Sequence, residues 1–200
     1  MDAKLVGHVK SLHGCVPISG AKNSALLILA AVVLANKPII LNRVPDIRDV
    51  RLMLDILEIV GVQYRWVGPS SLYMDPSEVK YQDLKTQECS RIRASILFLG
   101  TMLGRFNKVC LRLPGGCDFG PRPIDRHLDI LTQMGGQFAQ EGHYVSGTIK
   151  DIGDCNTEFS AATVTGTANA LLYAVCKSGE TVIKKAAQEP EIDDLINFLN

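Results

Sequence analysis

The sequence has no surplus of charge of either sign: 21 Lys and Arg residues balance 21 Asp and Glu residues, and the formal net charge is zero. Proteins that bind nucleic acids draw much of their affinity from basic residues that neutralise phosphates. Because this chain has no basic surplus, we do not expect a nucleic acid partner.

The sequence also lacks a hydrophobic run long enough to cross a bilayer. Its longest apolar stretch covers residues 25–35, whereas a transmembrane helix needs about 20 apolar residues. The chain does not open with a basic segment followed by an apolar one, as a secretion signal would. We therefore expect a cytoplasmic protein without a membrane partner.

Clustered cysteines are missing as well. The six cysteines are scattered, and no CxxC or CxxH spacing occurs, which argues against a zinc site. The histidines at positions 8, 13 and 143 have no second candidate ligand near them in the sequence. We therefore predict reduced thiols, no metal site and no cofactor.

What the sequence does contain is an internal repeat. The segments SALL, ASIL and NALL begin at positions 24, 94 and 169, and VRLMLDIL at 50 resembles IDRHLDIL at 124. In each copy an apolar helix pattern is followed by a strand pattern and then by an amphipathic helix pattern. We predict one α/β domain of three repeated units, with the apolar helices inside and the amphipathic helices outside.

The apolar helix of each copy begins with small or polar residues. Lys22 and Asn23 lie at the first opening, Arg93 at the second, and Ala168 takes the position of Asn23 in the third. Helix N-termini expose unpaired N–H groups and a partial positive charge, so they attract anions. Any one opening alone would be interpreted as a helix cap or a solvated charge. Three openings on one rim predict an anion-binding site.

A glycine-rich stretch, LPGGCDFGPRP at residues 113–123, places Cys117 in a loop. A free cysteine is most often a buried, inert thiol. A loop thiol five residues before Arg122 favours the functional interpretation, because an exposed cysteine near positive charge can act as a nucleophile or a proton donor. At the start of the next helix we interpret Asp125 as a first-turn carboxylate and His127 as a surface or capping residue.

Five motifs together resemble the UDP-N-acetylglucosamine enolpyruvyl transferases (1-carboxyvinyltransferases), which catalyse the first committed step of bacterial peptidoglycan synthesis. The resemblance runs from about residue 12 to residue 200, but covers only the first half of such an enzyme. The motifs are, in order, SGAKNSALLILAA, RIRASILFLG, LPGGCDFGPRPIDRHL, TVTGTANALL and AAQEPEIDDLINFLN.

The resemblance implies a reaction and its site residues. These enzymes transfer the enolpyruvyl group of phosphoenolpyruvate to the 3-hydroxyl of UDP-N-acetylglucosamine, so these two small molecules are the implied partners. The implied catalytic residues are Lys22, Arg122 and Cys117, the last as the proton donor and as the thiol that fosfomycin alkylates. The implied substrate-binding residues are Lys22, Asn23, Arg93, Arg122, Pro123, Ile124, Asp125, Arg126, Thr163 and Val164.

The resemblance also implies an architecture: an inside-out α/β barrel of three βαβαββ-like units, which faces a second, similar domain across the active-site cleft. We expect residues 1–20 to belong with that second domain and residues 21–200 to form the first domain, truncated at its C-terminal end. The family's aspartate base and several arginines for phosphoenolpyruvate belong to the missing half, so the chain alone is expected to be inactive. Two departures, Ala161 for a common lysine and Ala168 for a common acid, are expected to weaken uridine-side binding or to loosen the start of the third helix.

Two other functions stay open at this point. The chain could be a non-catalytic module that binds a UDP-sugar or regulates, or a structural α/β repeat protein that uses the rim for protein contacts. Binding of UDP-N-acetylglucosamine would exclude the structural protein. The coding sequence beyond Asn200 would separate the enzyme from the module.

Overall fold

The computed structural model describes residues 7, 11, 13–115 and 124–200. Three of the predicted site residues, Cys117, Arg122 and Pro123, lie outside these ranges. Within them, the chain forms three consecutive units, each built around an apolar helix that we call its inner helix. None of the helices in the described part of the chain combines the length and the apolar character needed to span a bilayer.

The first unit follows the predicted order of helix, strand and amphipathic helix, and a β-hairpin comes after them. Its elements are α1 (Lys22–Ala31) with a 3-10 turn (Val32–Leu34), β1 (Ile39–Leu41), α2 (Arg48–Ile59), β2 (Gln63–Gly68) and β3 (Ser71–Asp75). Strand β3 lies between β1 and β2 and is antiparallel to both. The chain leaves α2 through Gly61, whose φ of 97° is the left-handed conformation that glycine adopts without strain.

The second unit repeats this arrangement. Its elements are α3 (Gln87–Arg91), a 3-10 turn (Arg93–Leu97), α4 (Phe98–Phe106), β4 (Lys108–Arg112), α5 (Asp125–Gln133), β5 (Gly136–Glu141) and β6 (Tyr144–Ile149). Strand β6 lies between β4 and β5, again antiparallel to both. Leu84 adds a parallel bridge to Leu111 on the other side of β4.

The third unit contains β7 (Cys155–Glu158), α6 (Val164–Ala174), β8 (Thr181–Lys184) and α7 (Pro190–Leu199). Strands β7 and β8 are parallel neighbours that flank α6 in the sequence. The crossover from β7 through α6 to β8 corresponds to the passage from Leu84 through α4 to β4 in the second unit. The repeat detected in the sequence is therefore a repeat of structure.

The core of the molecule is formed by the three inner helices. Leu29 of α1, Phe98 of α4 and Leu172 of α6 are completely buried. The outer helices α2, α5 and α7 bury one face each, as their amphipathic patterns predict. The predicted α/β fold with apolar helices inside is confirmed.

The apolar helix pattern of the second copy, at residues 93–106, is divided into a 3-10 turn and α4. The cause is Asn169, whose side chain enters the hydrogen-bond ladder of the second inner helix. Gly100 N donates to Asn169 Oδ1 (2.6 Å), and Asn169 Nδ2 donates to Ile96 O (3.0 Å). An α-helix would join the Gly100 and Ile96 groups directly, and an inserted side chain of this kind interrupts a helix.

Candidate functional site

The openings of the three inner helices meet at one cavity of about 920 Å³. Lys22 and Asn23 are the first residues of α1, Arg93 is the first residue of the 3-10 turn before α4, and Val164 is the first residue of α6. A helix start carries a partial positive charge, and these openings add that charge to the cavity wall.

Seven of the ten predicted substrate-binding residues line this cavity: Lys22, Asn23, Arg93, Asp125, Arg126, Thr163 and Val164. Ile124 does not line it, because its side chain is buried at the start of α5. Arg122 and Pro123, like the predicted proton donor Cys117, belong to the residues that the structure leaves out. The roles predicted for all of these residues remain predictions.

The first opening is held by carboxylates from two outer helices. Lys22 Nζ lies 3.1 Å from Asp49 Oδ2, in the first turn of α2. Asn23 Nδ2 donates to Glu191 Oε1 (2.9 Å), in the first turn of α7. Asp49 also lines the cavity, so the wall around Lys22 carries charges of both signs.

The second opening brings Arg93 close to a buried histidine. His127 is 2% exposed, and its Nε2 shares a hydrogen bond of 2.9 Å with Thr165 Oγ1. Burial, together with the positive charge of Arg93, lowers the pKa of His127 to about 4. The sequence-based interpretation of His127 as a surface or capping residue was wrong: it is part of the cavity wall, between α5 and α6.

Ala168 does not lie at the third opening, where the repeat alignment predicted it. The repeat alignment places Ala168 level with Asn23, but α6 begins at Val164, so Ala168 lies in its second turn. The residue is completely buried and is not part of the cavity wall. Ala168 therefore packs in the core and is not placed to contact a ligand in this cavity or to loosen the helix start.

Asp49, His127, Thr165 and Ser160 also line the cavity and were not predicted. They come from three parts of the chain, and no short motif joins them. An acid early in a helix pattern was the only available signal for Asp49. The cavity combines three cationic side chains with two carboxylates and the helix openings, which suits a small ligand that carries both anionic groups and hydroxyls.

The depressed pKa of His127 gives a testable pH dependence. The folded protein keeps this imidazole neutral down to about pH 4, whereas the unfolded chain takes up the proton near pH 6.5. The free energy of unfolding should therefore fall by up to about 3 kcal/mol as the pH drops from about 6.5 to about 4. Urea denaturation at a series of pH values measures this slope.

In that series His127→Gln should remove most of the slope, because glutamine has no proton to take up. His143→Gln is the matched control, since His143 is exposed, and it should keep the slope. An unchanged slope in His127→Gln would show that other groups cause the acid sensitivity.

The fold and the cavity together define a class: an α/β protein of three repeated units with a charged cavity where its inner helices begin. The model of the EPSP synthase (3-phosphoshikimate 1-carboxyvinyltransferase) family matches residues 6–200. The chain belongs to this family of enolpyruvyl transferases.

Two relatives in sequence carry the same name. The chain is 36% identical over its whole length to the UDP-N-acetylglucosamine 1-carboxyvinyltransferase of Hydrogenovibrio crunogenus, of which it covers 48%. It is 40% identical, again over its whole length, to the protein of that name from Acinetobacter baylyi, of which it covers 48%. The chain thus spans about half the length of the curated relatives it matches.

Solved structures show the same fold. The crystal structure of the enolpyruvyl transferase NikO from Streptomyces tendae superposes with a TM-score of 0.80 at 21% identity, over 94% of this chain and 44% of that one. EPSP synthase from Acinetobacter baumannii superposes with a TM-score of 0.73 at 17% identity, over 90% of this chain and 42% of that one. The predicted enolpyruvyl transferase fold is confirmed.

Proposed function

We propose that this chain forms one half of a UDP-N-acetylglucosamine enolpyruvyl transferase, an enzyme of peptidoglycan synthesis in the cytoplasm. The reaction transfers the enolpyruvyl group of phosphoenolpyruvate to the 3-hydroxyl of the sugar nucleotide. The observation that carries this proposal is the cavity itself, where Lys22, Asn23 and Arg93 meet at the helix openings. The relatives' shared name supplies the substrates.

The transfer reaction fits a cavity whose wall carries more cationic side chains than carboxylates. The sugar hydroxyl gives up its proton and adds to C2 of phosphoenolpyruvate while C3 gains a proton. Loss of inorganic phosphate from C2 together with a proton from C3 then restores the carbon–carbon double bond. Both substrates are anionic, and negative charge grows on the leaving phosphate. Lys22 and Arg93, with the helix openings, stabilise this charge in a preorganised way.

Cys117 is the proposed donor of the proton to C3 and the proposed target of fosfomycin, with Arg122 as a second phosphoenolpyruvate contact. Both residues lie outside the described part of the chain. The described residues on either side of Cys117 and Arg122 support this proposal. Gly115 N donates to Ser90 O (3.0 Å), and Ser90 lies three residues before Arg93 in the sequence. Asp125 lines the cavity. The described residues that flank residues 116–123 therefore lie near the second opening.

A second domain is proposed to complete the site, and the 200-residue chain alone is proposed to be inactive. Residues 13–19 support this division, because they are exposed and belong to no helix or strand. We propose that residues 1–20 pack with the second domain and that residues 21–200 form the first.

Calorimetric titration of the 200-residue chain with UDP-N-acetylglucosamine tests the substrate. We expect binding that Arg93→Ala weakens by about tenfold or more, because hydrogen bonds to charged groups contribute about 1.5–3 kcal/mol. Absence of binding to the unsubstituted chain would overturn the substrate assignment.

The reading frame beyond Asn200 tests the reaction. Protein expressed from the complete frame should release phosphate only when both substrates are present. A stop codon directly after Asn200, with sugar nucleotide binding retained, would replace the enzyme by the non-catalytic binding module.

A further inference from the structure

The first turn of α1 is bonded to one face of α7. Asn23 Nδ2 donates to Glu191 Oε1 at 2.9 Å, and Ser24 Oγ donates to Asp194 Oδ2 at 2.5 Å. Glu191 and Asp194 are three residues apart on α7, so they are neighbours on its surface. The two contacts differ in one respect: Asn23 lines the 920 Å³ cavity and Ser24 does not.

A carboxylate can only accept hydrogen bonds at neutral pH, whereas a carboxamide has a donating end and an accepting end. Glu191 therefore fixes which way the amide of Asn23 is turned. The nitrogen faces Glu191, and Oδ1, on the opposite side of the amide carbon, is left as an acceptor. An acceptor can receive a hydrogen bond from a hydroxyl and cannot bond to a phosphate oxygen.

We propose that Glu191 is a positioning residue, which acts through Asn23 to present an acceptor to a hydroxyl of the sugar. This inference rests on the proposed function of the cavity. The two residues of the first opening would then contact different parts of a ligand: Lys22 its anionic group, and Asn23 its sugar.

A purely structural role would explain the same contacts differently. Helix α1 is preceded by Ala21 and has no side-chain cap, and nearby carboxylates stabilise a helix N-terminus. That role applies equally to Glu191 and Asp194. Asp194 is therefore the matched control, since its bond to Ser24 stabilises the same turn without touching a cavity residue.

The experiment compares Glu191→Leu, Glu191→Gln and Asp194→Leu in the 200-residue chain, by thermal unfolding and by calorimetric titration with UDP-N-acetylglucosamine and with UDP. We expect Glu191→Leu to bind the sugar nucleotide about five- to tenfold more weakly, the equivalent of one hydrogen bond. Removing a negative charge near an anion site would by itself strengthen binding, so the loss cannot come from charge. Affinity for UDP, which lacks the N-acetylglucosamine moiety, should not fall.

Glu191→Gln should restore binding to within about twofold, because its Oε1 can still accept from Asn23. Asp194→Leu should lower stability about as much as Glu191→Leu and keep the affinity for the sugar nucleotide. If Glu191→Leu binds as tightly as the unsubstituted chain, or if both Leu variants lose affinity equally, the positioning role is wrong. If the unsubstituted chain does not bind at all, the proposed function fails instead.

Discussion

Lys22→Met should lower kcat/KM of the complete enzyme by about 10³, the size of effect seen when one preorganised charge contact to the transition state is removed. Stability should barely change. Lys22 forms an ion pair with Asp49, and the two side chains are 51% and 39% exposed. Exposed ion pairs contribute at most about 1 kcal/mol to stability. Phosphate release and urea denaturation of the same preparation measure the two quantities.

Two variants make this prediction specific. Lys80→Met removes a lysine from another exposed ion pair, with Glu78 at 3.7 Å, outside the cavity, and should leave kcat/KM unchanged. Asp49→Asn keeps the charge of Lys22 and removes its competitor, so affinity for phosphoenolpyruvate should rise. A Lys22→Met enzyme with normal turnover would show that the first opening does not hold the reacting anion.

The fold was predictable from the sequence because the same pattern of helices and strands is repeated in three units. Each unit needs an apolar helix, a strand and an amphipathic helix, and these periodicities are local properties. Gly61 and Gly135 mark the ends of α2 and α5, each with a φ near 100°. The cavity residues at the helix openings were predictable for the same reason, since a helix start is a local signal.

The partners of those residues were not predictable. Lys22 and Asp49 are 27 positions apart and Asn23 and Glu191 are 168 apart, so only the packing of outer helices on α1 brings them together. His127 reads as a surface residue on its own helix and is buried because α6 packs against α5. The break before α4 depends on Asn169, which lies in a different unit.

Gly100→Ala should strongly destabilise the fold, because Gly100 lies where two inner helices pack against each other. A Cβ at Gly100 would lie 2.3 Å from the carbonyl oxygen of Asn169 and 2.8 Å from its Cα. Both atoms are backbone in the middle of α6, so no side chain can move aside, and α4 would have to separate from α6 in the core. We expect the free energy of unfolding, measured by urea denaturation, to fall by about 4 kcal/mol.

Two further glycines separate this close approach from the conformational cost of losing a glycine. A Cβ at Gly104 would meet Leu172 O at 2.9 Å and the movable Cys176 side chain at 3.1 Å, so Gly104→Ala should cost less. Gly142 has a φ of 57° and nothing within 4 Å, so Gly142→Ala should cost only about 1 kcal/mol of backbone strain. The predicted order of destabilisation is Gly100, Gly104, Gly142, and an equal cost at all three would mean that α4 is free to move on α6.

Because Arg93 and Val164 lie at the openings of the two inner helices that pack together at Gly100, Gly100→Ala should also weaken sugar nucleotide binding in the protein that still folds.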